Sequence, residues 1–119
     1  MNILLDNVNI FSTSGPNHFG AKLVKYLDRA GHQCLLPPQE GADIKLSFIK
    51  SQQIIKTEPL VLRLDGIYFD PDQDYNLRNS SILRSYKQAD GVIFQSEFNR
   101  DMSFKYFGKH PNHIIINNG

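Results

Sequence analysis

A single cysteine, Cys34, stands in the 119-residue chain, so no internal disulfide can form. Flanked by Gln33 and Leu35 in an apolar segment, it reads as a buried, inert thiol of a reducing compartment. Long hydrophobic runs are also missing. No segment approaches the roughly 20 apolar residues that span a bilayer. Met1 to Leu5 has neither a charged leader region nor an extended apolar stretch, so a secretory signal is not expected there. Charge of one sign is lacking too. The net charge is +1 and the Lys and Arg residues are scattered, which removes the electrostatic case for nucleic acid. A cytoplasmic protein is the expectation, with peripheral membrane contact left open.

Familiar chemical signatures are equally scarce. There is no G-x-G-x-x-G and no P-loop, which disfavours dinucleotide or ATP binding. No His/Cys/Asp/Glu group has zinc-site spacing, and no Ser-His-Asp set can be argued from chain order. The run Asp70-Pro71-Asp72-Gln73-Asp74 invites a metal reading. As a calcium loop it fails, because position six would be Tyr75 and position twelve Ser81, so a solvated acidic loop is favoured. Asn79-Ser80-Ser81 fits a glycosylation sequon that a cytoplasmic chain would not use.

What is present is an ordinary globular composition, 40% hydrophobic and 21% charged, of a size for one compact domain spanning 1–119. Short apolar runs alternate with helical stripes. Ile3-Leu4-Leu5, Gln33 to Leu36, Ile44 to Ile49, Leu60 to Leu64, Gly91 to Phe94 and Ile114 to Ile116 read as strands. Phe19, Leu23, Leu27 and Ala30 mark a helix opened near Gly15-Pro16 and closed at Gly31. Leu77, Ile82, Leu83, Tyr86 and Ala89 mark a second. Ser96 caps a third, on which Phe98, Met102 and Tyr106 lie four apart, ended by Gly108 and Pro111. Lys50 to Pro59 reads as loop or one helical turn. Short buried strands separated by helices predict an α/β, Rossmann-like parallel sheet of about six strands with helices on both faces.

In such a sheet, ligands bind beyond the carboxyl ends of the strands. Four places follow. Ser14-Gly15-Pro16-Asn17 could let backbone and helix N–H groups meet a diphosphate, or could be a plain helix-start turn; His18 lies in the same first turn. Arg63 and Asp65 share one face of the fourth strand, which ends at Gly66. Asp65 could act as a general base toward a sugar hydroxyl, or could cap a turn with Arg63 as its structural ion-pair partner. The acidic run at 70–74 is the third place. Ser96, most simply a helix cap, is the fourth. Of the remaining histidines, His32 reads as structural, and His110 and His113 as residues of a surface loop around Pro111.

Taken in order, Ser14-Gly15-Pro16-Asn17, Ala30-Gly31-His32 and Leu62-Arg63-Leu64-Asp65-Gly66 resemble the retaining GT-B glycosyltransferases called group 1, or family 4. So do Ala89-Asp90-Gly91-Val92-Ile93-Phe94-Gln95-Ser96-Glu97-Phe98, Phe107-Gly108 and Ile114 to Gly119. The resemblance covers essentially the whole chain. It implies the N-terminal, acceptor-side half of a two-domain enzyme, with the sugar nucleotide held mostly by a C-terminal domain that this chain lacks. It implies a nucleotide sugar as donor substrate, an acceptor glycan, lipid or other hydroxyl, retained anomeric configuration and no metal or other cofactor. It also implies that Asp65 touches the transferred sugar, at a place where many members have His, and that Ser14, Gly15, Asn17, His18, Arg63, Gly66 and Ser96 line the substrate site. The donor-side signature of that group, two Glu eight positions apart, is absent, since the only glutamates are Glu40, Glu58 and Glu97. The isolated chain is therefore expected to be inactive. A stand-alone binding module for a partner protein or carbohydrate is the alternative.

Overall fold

The computed structural model describes residues 1–11, 15–37, 39–52, 58–65 and 75–117, with backbone alone at 15–16 and 75–78. Six strands form one parallel sheet: β1 (Asn2–Asp6), β2 (Gln33–Leu35), β3 (Ile44–Phe48), β4 (Leu60–Leu64), β5 (Gly91–Phe94) and β6 (His113–Ile115). Their spatial order is β2-β1-β3-β4-β5-β6. Three helices connect them, α1 (Gly15–Arg29), α2 (Tyr75–Gln88) and α3 (Glu97–Phe107). The predicted architecture is the observed one.

Side-chain alternation divides the core in two. Leu60, Leu62 and Leu64 of β4 and Val92 and Phe94 of β5 point to one face, where Ile82 and Tyr86 of α2 and Phe104 and Phe107 of α3 cover them. Ile3 and Leu5 of β1 and Phe48 of β3 point to the other face, under Phe19, Leu23 and Leu27 of α1. The chain reverses its direction of travel across the sheet between β1 and β3. β1 leads through α1 to β2 on one side, and β3 starts the march to β6 on the other.

Helix ends follow the local chemistry. The oxygen of Ser96 accepts from the Asn99 N–H at 3.1 Å, capping α3. Gly31 and Gly108 take φ of +88° and +97°, which side-chain-bearing residues rarely adopt. Gly20 serves closeness instead: a Cβ there would lie 2.6 Å from Cγ2 of Val8, so its absence lets α1 settle onto the segment leaving β1.

One sequence expectation is corrected, at His110. On α3, Phe104 and Phe107 pack against the core. Phe98 is 63% exposed, while Asn99 and Ser103 are the buried residues of the helix. A polar anchor sets the rotation, because the Asn99 amide donates to the Leu64 carbonyl at 2.7 Å. His110 is not a surface residue. It is 6% exposed and its Nε2 meets the Ala89 carbonyl at 3.0 Å, tying the α2–β5 junction to the segment before β6. Pattern reading assigns a loop histidine to solvent because it sees no partner. Here the partners are carbonyls, which have no sequence signature.

Candidate ligand-binding edge of the sheet

The carboxyl ends of β1, β3 and β4 lie side by side, and the reversal of strand order falls between β1 and β3. Crevices of this kind open at such points in α/β sheets. Both strand ends there turn sharply. Asn7, following β1, has φ of +60°, and Ile49, following β3, has φ of +72°. Asn tolerates the left-handed region; a β-branched residue does not, and such a backbone costs about 1–3 kcal/mol. The Lys50 N–H closes a three-residue turn onto the Phe48 carbonyl at 2.8 Å, and the Ile49 N–H continues the ladder to the Arg63 carbonyl.

A hydrogen-bond brace holds these two ends together. Asp6, 3% exposed, accepts from the Ser47 hydroxyl at 2.8 Å and from the Gln52 N–H at 3.1 Å. Asn7 donates to the Phe48 carbonyl at 2.7 Å and accepts from the Gln52 side chain at 2.9 Å. A carboxylate this deeply buried is tolerable because it is hydrogen-bonded, with Oδ2 accepting both bonds. None of these four residues was singled out from the sequence. Asp6 could have been: it directly follows the apolar run Ile3-Leu4-Leu5, the position where ligand-edge residues are sought.

At the end of β4, Nη1 of Arg63 lies 2.6 Å from Oδ1 of Asp65. The guanidinium is 3% exposed and sits 3.9 Å from the ring centre of Phe19, with Phe48 on a second side at 5.8 Å. A planar cation between two rings and a carboxylate is held by cation–π and charge-assisted contacts together. Asp65 remains 25% exposed in its side chain, so it is the member of the pair a ligand can reach. From behind, the bond from Asn99 to Leu64 fixes the peptide that carries Asp65.

The other sequence candidates are placed as follows. Gly15 begins α1. Asn17 accepts the Asn9 N–H at 2.8 Å, closing the segment between β1 and α1. His18 is exposed. Ser96 spends its oxygen on the α3 cap. Ser14, Gly66 and the acidic run at 70–74 lie outside the described residues. Among the described residues no group of three or more His, Cys, Asp or Glu could hold a metal ion, and no helix is long and apolar enough to cross a membrane. Cys34 is only partly buried, and burial, then the nearby Asp28 charge, pushes its thiol up from its ordinary value, away from nucleophilic use.

Against known proteins, no family model, no curated protein and no solved structure matches the chain.

Proposed function

We propose that this chain is the acceptor-side half of a retaining GT-B glycosyltransferase, working with a separate domain that binds the sugar nucleotide. The observation that carries the reading is Asp65, a reachable carboxylate at the carboxyl end of β4, beside the point where strand order reverses. The ordered sequence motifs support it, as does a six-stranded parallel sheet of the kind such a half requires. In this reading Asp65 contacts the sugar being transferred, Arg63 sets its charge and direction, and the β1–α1 segment with Gly15, Asn17 and His18 faces donor diphosphate and acceptor. No metal takes part. The protein would work in the cytoplasm.

The 2.6 Å contact with Arg63 favours a second reading, in which the pair is purely structural and the domain is a non-catalytic binding module. One substitution separates them. In a protein that carries both halves, Asp65→Asn is expected to lower turnover per folded molecule by a factor on the order of 10²–10⁴, the range for a lost proton-transfer contact, beyond any fall in melting temperature from the buried Arg63 losing its carboxylate. A folded variant with full turnover, or one whose only defect is a lower melting temperature, removes Asp65 from the site.

A further inference from the structure

Among the described residues, the face of the sheet under α1 is only half covered. α1 lies over β1 and β3, and its Phe19, Leu23 and Leu27 form one wall of an apolar groove of about 290 Å³. The floor continues past the helix through Val61 of β4 and Ile93 of β5, and Ile116 closes it beyond β6. Register puts Arg63, Ile93 and Ile114 in one row across β4, β5 and β6, so Ile114 extends the same surface to the sheet edge. Ile114 is 56% exposed, Ile116 48% and Met1, at one end of the groove, 61%. Parallel sheets carry helices on both faces, and none of the helices among the described residues lies on this half.

The shape of the bare strip indicates what covers it. Three strands spaced 4.7–4.9 Å apart make a strip about 10–14 Å wide, and one α-helix with its side chains is about 10–12 Å across. A hydrocarbon chain, roughly half as wide, would leave much of the strip in water.

Charge adds a direction. The flank of α1 carrying Val24 and Asp28 faces β2, where both residues border a separate hollow with Cys34. The opposite flank, adjoining the bare strip, therefore presents Lys22, Tyr26 and Arg29 at helical spacing, all exposed, with Arg29 over the Tyr26 ring at 5.9 Å. That flank holds two cations and no acid. Of the other charges near the groove, Arg63 is matched by Asp65, and the Asp43 carboxylate is engaged by the backbone N–H of Asn2 at the opposite end.

We propose that this strip docks one amphipathic helix of a partner protein. Its apolar stripe lies on Val61, Ile93 and Ile114, and acidic residues run along the flank beside Lys22 and Arg29. The surface lies on the sheet's face and at one end borders Arg63, the partner of Asp65, but the proposal stands without any sugar chemistry.

Two synthetic helical peptides of about 15 residues test it against the whole 119-residue chain. They share one leucine stripe and carry either Glu or Lys along one flank. Methyl NMR and fluorescence anisotropy read the binding. The Glu peptide is expected to give saturable shifts at Val61, Ile93 and Ile114 and to bind at least tenfold tighter than the Lys peptide at low salt, the gap narrowing as salt rises. The exposed-site variant Ile114→Glu should weaken binding at least tenfold. The surface pair Lys22→Glu with Arg29→Glu should reverse the peptide preference while leaving the fold intact. Equal binding of both peptides overturns the proposal, as does the absence of saturable shifts. So does a dimer of the chain that protects the same methyl groups, or stronger binding to phosphatidylglycerol vesicles than to the Glu peptide.

Discussion

Two buried polar side chains show how single residues shape this molecule. Lys45 is 1% exposed, and its ammonium lies 3.7 Å from Glu58, which precedes β4. A buried cation is costly, and removing one partner of such a pair costs about 3–5 kcal/mol, whereas replacing both is often neutral. Glu58, at 16% exposure, can turn toward water, but Lys45 cannot. We therefore expect Glu58→Gln to lower stability in urea melts far more than the double change Lys45→Met with Glu58→Gln. A double variant no better than Glu58→Gln would show that the pair is not what holds Lys45 inside. Tyr86 carries a pH signature. Its hydroxyl donates to the Gly108 carbonyl at 2.6 Å, and burial pushes its pKa from 10.0 up to about 12. The folded state keeps this proton to higher pH than the unfolded chain does. Its contribution is thus fully present below pH 10 and is lost as pH rises from there through about 12. Tyr86→Phe should cost about 0.5–1.5 kcal/mol at neutral pH, the net worth of one hydrogen bond, and that gap should shrink steeply above pH 10. A gap constant from pH 7 to 12 would contradict this account.

At the scale of elements, α1 and the β1 end are joined by contact rather than by propensity. Gly20 is a poor helix former in a helix interior, yet a methyl group there would meet Val8 at 2.6 Å. The usual gain of Gly→Ala in a helix should invert. Gly20→Ala is expected to destabilise by about 1–3 kcal/mol, the range for overpacking, and to displace the segment that leads from β1 into α1. Circular dichroism melts together with amide shifts at Asp6 and Asn7 would check both effects, and an unchanged or raised melting temperature would refute the close-approach role. α3 teaches the complementary lesson. Its cap was legible, because Ser96 followed by a helical segment is a local signal. Its rotation was not, because Asn99 chooses its face by a bond to Leu64, 35 positions away. Hydrophobic spacing carries no record of that bond, which works together with Phe104 and Phe107 against the core.

At the scale of the whole molecule, the proposed chemistry needs a closed cleft. Holding reactants in place contributes roughly 7–11 kcal/mol to well-oriented reactions, and the edge formed by β1, β3 and β4 supplies one wall. The purified chain, incubated with a panel of nucleotide sugars and acceptor alcohols, is accordingly expected to show no transfer above background. Turnover abolished by Asp65→Asn would overturn the half-enzyme reading.

The six strands, the three helices and their layering could be read from the chain alone. Each rests on interactions within a few residues: apolar triplets between turns, glycines at helix ends, a serine before a helix. The rule that ligand residues follow apolar strands led to Arg63 and Asp65 by the same local reasoning. Only the tertiary structure decided that these two form a pair seated on Phe19. It alone decided that Asp6, Asn7, Ser47 and Gln52 brace the switch point, that His110 is buried, and that the described residues leave one half of a sheet face uncovered. Apart from the Arg63–Asp65 pair itself, those contacts join residues 21 to 46 positions apart or depend on which faces of the sheet the helices take. Spacing along a chain holds no record of such partners, because the sheet's strand order and the close packing of its layers create them.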